Sequence, residues 1–160
     1  MITELANNEN FVLASMGNII TLFWRNPTVE SIDRLPPLLK TFGEAHPTGF
    51  AVLTLVAEHS PPPSPEARSR MAKMMGEGGA LKAVAVCFEG SGVRAIVVRS
   101  VVTGLSLLAR PTYAYKVFST PEEALSFLSD ALAKAGAPAV PAHQLLAAFL
   151  PWRRRTPLSP

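Results

Sequence analysis

The sequence is poor in cysteine and in charge, and it contains no long uninterrupted hydrophobic run. Its one cysteine, Cys87, cannot form an internal disulfide, which excludes a disulfide-stapled secreted scaffold. The longest apolar-rich run, residues 93–108, is interrupted by polar side chains and is shorter than the ~20 apolar residues that span a bilayer. Residues 1–10 lack the basic start and the apolar core of an export signal. We therefore expect a soluble, cytoplasmic protein without a transmembrane segment.

Charged residues make up only 17% of the 160-residue chain, and the net charge of +3 has a local origin. Three of the fifteen basic residues are the consecutive Arg153, Arg154 and Arg155, so the remaining twelve balance the twelve acidic residues. A nucleic-acid-binding domain normally carries a basic face across the fold itself. The neutral body of this chain therefore argues against a nucleic-acid partner.

The length and the hydrophobic content of 48% are typical of one folded domain with a real core. We assign this domain to residues 1–136. A proline-rich C-terminal extension follows at residues 137–160, with a short apolar helix at residues 143–150 and a basic tail. Cys87 lies in an apolar run, and we expect it to be a small buried residue.

Five β-prone segments alternate with helix-prone segments and predict an α/β fold. The first two segments meet at Gly17-Asn18, a pair that suits a tight antiparallel hairpin. The order β-β-α-β-α-β-α-β-α implies a mixed, mostly parallel sheet of about five strands with covering helices. The predicted strands are residues 11–16, 19–25, 50–57, 81–88 and 113–118.

Four predicted helices connect and follow these strands. Serine and threonine at a helix start accept hydrogen bonds from free backbone N–H groups. Pro36-Pro37 must interrupt or restart the first helix, because proline inside a helix loses a backbone hydrogen bond. The boundary signals are the N-caps Thr28, Ser64 and Thr120, the glycine-rich turn before residue 93, and the terminating glycines Gly76 and Gly136.

A ligand site is expected beyond the carboxyl ends of the strands, where open α/β sheets tend to bind ligands. There the Gly90-Ser91-Gly92 turn leads into a helix N-terminus, which favours an anion, and Arg94 lies one turn inside. The alternative is that these residues form only a tight turn that caps the helix. The turn does not match the pattern of a P-loop or of a dinucleotide-binding fingerprint. The candidate ligand-binding residues are His59, Ser60, Gly90, Ser91, Gly92 and Arg94.

The chain lacks a recognisable catalytic or metal-binding pattern. The three histidines and Cys87 lie far apart in sequence, no pair has metal-ligand spacing, and no Gly-x-Ser-x-Gly elbow occurs. His59 with Glu58 or Glu89 is a hypothetical acid–base pair across neighbouring strand ends. We therefore expect a protein without a metal, a cofactor or an enzymatic activity.

Two segments are candidates for docking a partner. The helix after Ser64 carries basic residues and three methionines, whose adaptable side chains suit a docking surface. The alternative is that Met71 and Met75 face the core and the basic residues are solvated. The C-terminal tail suits a partner groove or weak contact with an anionic membrane; alternatively, it packs on its own domain. The candidate docking residues are Arg68, Met71, Met74, Met75, Phe149, Trp152, Arg153, Arg154 and Arg155.

The opening hairpin, the order of elements and the ending YKVFSTPEEALSFL, residues 115–128, resemble the STAS fold and its SpoIIAA-like group. The resemblance covers about residues 11–135. It implies a domain that docks other proteins or, in some relatives, resembles lipid- or small-molecule-binding domains.

In the anti-sigma-factor antagonists of this group, a serine within an Asp-Ser-Ser-Gly-like motif is phosphorylated. This chain departs from the motif and has HSPPPSP at residues 59–65. Ser64 is the closest positional counterpart of that serine, and its simplest role is an N-cap. The sequence leaves open whether Ser60 or Ser64 is phosphorylated.

These observations favour a non-catalytic interaction domain that docks a protein partner in a regulatory role, as a monomer or a homodimer. The alternative is a small-molecule or lipid-binding domain that uses the crevice at the strand ends and the apolar long helix. An enzyme with an unrecognised site ranks third.

Overall fold

The computed structural model describes residues 1–157, and this part of the chain forms six strands and six helices. The strands are β1 (Thr3–Asn7), β2 (Phe11–Met16), β3 (Ile19–Trp24), β4 (Phe50–Ala57), β5 (Leu81–Glu89) and β6 (Ala114–Phe118). The helices are α1 (Val29–Asp33), α2 (Leu35–Ala45), α3 (Pro65–Gly76), α4 (Val93–Ala109), α5 (Pro121–Lys134) and α6 (Ala142–Arg155).

The strands form one mixed sheet in the order β1-β2-β3-β4-β5-β6. β1, β2 and β3 pair antiparallel, whereas β3, β4, β5 and β6 pair parallel. Helices connect each parallel pair, and consecutive crossovers of the same hand leave these helices on one face of the sheet. α1 to α4 therefore cover one face, and α5 and α6 cover the other.

Each face of the sheet has its own hydrophobic core, which we call the α1–α4 core and the α5–α6 core. Successive side chains of a strand point to opposite faces. Phe23 therefore joins the α5–α6 core, whereas its neighbours Leu22 and Trp24 join the α1–α4 core. This two-sided burial explains why the central strands are nearly continuous apolar runs.

The predicted mixed α/β sheet is confirmed, and local sequence signals account for the helix boundaries. Thr28, Ser64 and Thr120 each accept a hydrogen bond from the backbone N–H three residues later, at the starts of α1, α3 and α5. α2 begins as a new helix with Pro36 in its first turn. Gly136 follows α5 with a φ of +70°, a left-handed conformation that suits glycine.

β1 is a strand that the sequence does not predict, and it makes the sheet one strand wider than expected. It pairs with β2 at the edge of the sheet. Four of its five side chains are exposed, so the segment shows no apolar alternation. Its place in the sheet depends on backbone hydrogen bonds, which the periodicity of side chains does not indicate.

α6 also differs from the prediction, because it continues through Pro151 to Arg155 instead of ending at residue 150. A proline inside a helix removes one backbone hydrogen bond. The helix nevertheless continues, since Trp152 is buried in the α5–α6 core and Arg153 binds Glu89. The C-terminal segment is therefore packed on the sheet.

Candidate functional site

An apolar cavity of about 340 Å³ lies within the α1–α4 core, between the sheet and helices α3 and α4. β3, β4, β5 and β6 form its floor, and the two helices with the loop of residues 60–63 form its walls. The volume is within the range of about 300–1,000 Å³ that is usual for small-molecule sites. On the sheet side the lining residues include Leu22, Trp24, Val52, Val84, Val86 and Tyr115.

The cavity is covered unevenly by α4, whose side chains line it over most of the length of the helix. Val102 and Leu105, in its C-terminal half, are buried. Val93 and Val97, near its N-terminus, line the cavity but are 77% and 48% exposed. The cavity therefore reaches solvent beside the N-terminal end of α4.

The charged groups of the cavity lie at this opening. Arg94, in the first turn of α4, lines it together with Glu58. Arg94 is exposed and forms no ion pair with any residue between 1 and 157. The N-cap of α4, Gly92, supplies no side-chain hydrogen bond to the free N–H groups of the first turn. A guanidinium and unpaired backbone donors thus meet at the opening, and both favour an anionic group.

Two tyrosines add uncharged polar groups to the cavity. The Tyr113 hydroxyl donates a hydrogen bond to the Met75 carbonyl at 2.9 Å. Burial raises the pKa of Tyr113 to about 12, and it also raises the pKa of Tyr115. Both phenols are therefore neutral at physiological pH, and they bring no charge into the apolar interior.

α3 directs its methionines to the cavity and its basic side chains to solvent. Met71, Met74 and Met75 are half-buried and line the cavity, whereas Arg68 is exposed and its Nε donates to the Pro63 carbonyl at 3.1 Å. This orientation agrees with the alternative in which Met71 and Met75 face the core, and the docking role of the three methionines stays a prediction. Since methionine side chains adapt to irregular shapes, they give the cavity a deformable wall.

Close packing and backbone geometry explain the glycines of the Gly90-Ser91-Gly92 turn. A Cβ on Gly90 would lie 2.6 Å from the Phe88 ring. Gly92 has a φ of +72° and a ψ of −147°, a conformation open almost only to glycine. Ser91 is exposed and does not line the cavity. Arg94 is thus the part of this predicted anion site that reaches the cavity.

A second, more polar cleft of about 880 Å³ lies at the carboxyl ends of β3, β4 and β5. Glu58, His59, Ser60 and Glu89 lie together on it. His59 is exposed and forms no side-chain hydrogen bond with residues 1–157, whereas Glu89 is bound by Arg153. The hypothetical acid–base pair is therefore not assembled in this structure. Nowhere in the described range do three metal-binding side chains meet.

The C-terminal candidates divide into buried and exposed residues. Phe149 and Trp152 are buried in the α5–α6 core, and Arg153 binds Glu89. The partner-docking role predicted for these three is corrected, because their contacts are inside the domain. Arg154 and Arg155 are exposed.

Ser64 and Cys87 both have structural roles. The Ser64 hydroxyl accepts a hydrogen bond from the Ala67 N–H at 3.1 Å, so its role as an N-cap is confirmed. Cys87 is fully buried in the α5–α6 core, and burial is the main cause that raises its thiol pKa to about 12. A protonated, inaccessible thiol is a poor nucleophile.

Sequence reasoning missed most of the cavity-lining residues, including Trp24, Val98 and Tyr113. The sequence of α4 does contain one indication of an additional apolar site. This helix has more apolar residues than a single buried face requires. No helix in residues 1–157 is both long enough and apolar enough to cross a membrane.

The molecule is thus an α/β domain with a mixed sheet, helices on both faces and an apolar cavity under one helical layer. No family model and no curated protein matches the chain. It is similar to a solved structure, an uncharacterized protein of the DUF3478 family with a SpoIIAA-like fold from Shewanella loihica PV-4. The two are 16% identical, the match covers 77% of this chain and 97% of that one, and the TM-score is 0.52. The chain has a SpoIIAA-like fold, which confirms the resemblance at the level of the fold.

Proposed function

We propose that this domain binds an amphiphile, a molecule with an apolar body and an anionic head, without catalysing a reaction. The observation that carries the proposal is the apolar cavity with a single basic side chain, Arg94, at its opening. Moving an apolar body out of water is favourable by about 25 cal/mol per Å² of buried area. A guanidinium binds a carboxylate or a phosphate through two parallel hydrogen bonds.

The arrangement of charge gives the bound molecule a direction. The interior of the cavity offers hydrocarbon, methionine sulfur and neutral phenols, which suit an apolar chain. Glu58 also lines the opening, and its carboxylate repels an anionic head. The head is therefore expected beside Arg94 and the first turn of α4, with the chain directed along the sheet.

Isothermal titration calorimetry with laurate and with dodecanol, which have the same chain length, tests both parts of the proposal. The wild-type protein is expected to bind both molecules. Arg94→Gln should weaken laurate binding by about tenfold and leave dodecanol binding unchanged, because only laurate carries a charge for the guanidinium.

A matched pair of substitutions on α4 tests the location. Val98 is half-buried and lines the cavity, whereas Thr103 is exposed and does not. Val98→Phe should fill the cavity and weaken both molecules by at least about tenfold, while Thr103→Phe should bind as the wild type does. Circular dichroism confirms that both variants are folded. Equal binding by the two variants, or no binding by the wild type, would contradict the proposal.

Docking of a protein partner is a second candidate, supported by the exposed side of α6. Leu150 is 44% exposed, and Arg154 lies four residues later on the same side of the helix. This apolar and basic surface fits an acidic groove. Leu150→Asp combined with Arg154→Glu keeps the core residues of α6, unlike a deletion of the helix. In a pull-down, loss of a stoichiometric partner by this double variant supports protein docking through α6. An unchanged set of partners counts against it.

A further inference from the structure

The solvent-exposed side of α4 is also apolar. We define the outer face of α4 as Val93, Ile96, Leu107 and Leu108, which are 77%, 66%, 72% and 67% exposed. Helical spacing places them on one side, with Ser100, Thr103 and Gly104 between them. A surface helix normally exposes polar residues on this side, and a large exposed apolar patch marks an interaction site.

The charged residues of α4 itself, with its C-cap Arg110, have one sign. Residues 93–110 contain no aspartate or glutamate, whereas Arg94, Arg99 and Arg110 are all exposed. Arg99 donates a hydrogen bond to the Ser119 hydroxyl at 2.7 Å, which holds it at the flank of the helix. The result is an apolar strip with a basic border.

This combination complements an anionic lipid surface. Apolar side chains enter the boundary between headgroups and acyl chains, while the surrounding arginines contact lipid phosphates. A second copy of the chain fits less well. Two-fold pairing of α4 would bring the arginines of both copies together, and α4 carries no carboxylate to offset them.

We propose that the outer face of α4 docks on an anionic membrane, from which the amphiphile enters the cavity. This inference rests on the proposed function. Val93 belongs to the outer face and also lines the cavity, so the docked surface and the opening are adjacent. An amphiphile leaving the bilayer would therefore have a short path past Arg94.

Vesicle flotation tests the docking, with vesicles of phosphatidylcholine alone and of phosphatidylcholine mixed with phosphatidylglycerol. The wild-type protein is expected to float with the mixed vesicles only, and added salt should release it. Leu107→Asp should reduce the bound fraction by about tenfold. Leu150→Asp is the matched control, because it makes the same change at an exposed leucine of α6 on the other face of the sheet. Should Leu107→Asp fail to fold, Ile96→Asp replaces it.

Equal flotation of the two leucine variants, or equal flotation of the wild type with both kinds of vesicle, would overturn the inference. Sedimentation velocity adds a third outcome that overturns it: a wild-type dimer that Leu107→Asp converts to monomers. Laurate titration without vesicles separates this inference from the proposed function. Laurate binding without flotation leaves the cavity function standing and removes the docking. Flotation without laurate binding removes the cavity function, and with it the entry of the amphiphile, so that the inference is overturned and membrane docking alone is left.

Discussion

Arg153 of α6 and Glu89 at the end of β5 form a bidentate ion pair. Arg153 Nε donates to Glu89 Oε1 at 2.8 Å, and Nη2 donates to Oε2. The guanidinium also lies over the Phe23 ring, 4.9 Å from its centroid. The side chains are only 16% and 24% exposed, so water screens the pair poorly. This contact joins the C-terminal helix to the sheet and assigns Arg153 to the domain's own structure.

Arg153→Gln is expected to lower the free energy of unfolding by roughly 1–3 kcal/mol, because Glu89 would keep a partly buried charge without its partner. Arg154→Gln is the control, since Arg154 is exposed and outside any ion pair in residues 1–157. Its effect should stay within about 0.5 kcal/mol. Urea denaturation measures both values, and equal effects would show that the ion pair does not stabilise the fold.

Phe149→Ala and Leu150→Ala test the packing of α6. Phe149 is fully buried, and its truncation should cost about 3–5 kcal/mol by leaving a cavity in the α5–α6 core. Leu150 is 44% exposed, and its truncation should change the free energy of unfolding by only about 0.5 kcal/mol. The two midpoints of chemical denaturation give the comparison. A small effect at Phe149 would mean that α6 is not docked on the sheet in solution.

Two glycines of the α4 region should respond to alanine with opposite signs. A Cβ meets nothing within 4 Å at either Gly92 or Gly104, so crowding is not a factor. Gly92→Ala should destabilise the protein by about 1–3 kcal/mol, because its φ of +72° with a ψ of −147° strains any other residue. Gly104→Ala should stabilise it by about 0.5–1 kcal/mol through the higher helix propensity of alanine. Thermal unfolding measures both, and shifts of the same sign would contradict the assigned backbone.

The thiol of Cys87 should be inert in the folded protein. Burial, with smaller contributions from Glu89 and Glu123, raises its pKa from 9.0 to about 12. The unfolded thiol loses its proton first, so this contribution to stability is complete below pH 9 and declines as the pH rises from 9 to 12. Ellman's reagent at about pH 8, below the unfolded pKa, should react only after denaturation. Rapid stoichiometric reaction of the folded protein would contradict this account, and Cys87→Ala should remove this part of the alkaline sensitivity.

The sheet and its helices could be predicted because their signals are local. Apolar runs define the central strands, and Thr28, Ser64 and Thr120 begin helices through hydrogen bonds within a single turn. β1 could not be predicted, because its exposed side chains follow no apolar pattern. The extent of α6 depends on a contact with Glu89, which lies far away in sequence.

The site was less predictable, since periodicity tells which side chains face inward but not whether they meet a packed core or a cavity. Met71 and Met75 would have the same spacing in either case. Likewise, the apolar and aromatic residues of α6 suit a partner groove as well as the chain's own sheet. Arg94 could be anticipated from its place after a glycine-rich turn, because the free N–H groups of a helix start are a local property.

The two tryptophans of the chain allow a direct test of amphiphile binding in the cavity. Trp24 lines the cavity, whereas Trp152 lies in the α5–α6 core on the opposite face of the sheet. Trp152→Phe leaves Trp24 as the fluorophore, and Trp24→Phe leaves Trp152. The measurement is a fluorescence titration of both variants with laurate brominated on its chain, since bromine quenches tryptophan on contact. Laurate bound in the cavity should quench Trp24 alone, and unlabelled laurate should reverse the quenching. Equal quenching of both tryptophans, or quenching of Trp152 alone, would show that laurate does not bind in this cavity.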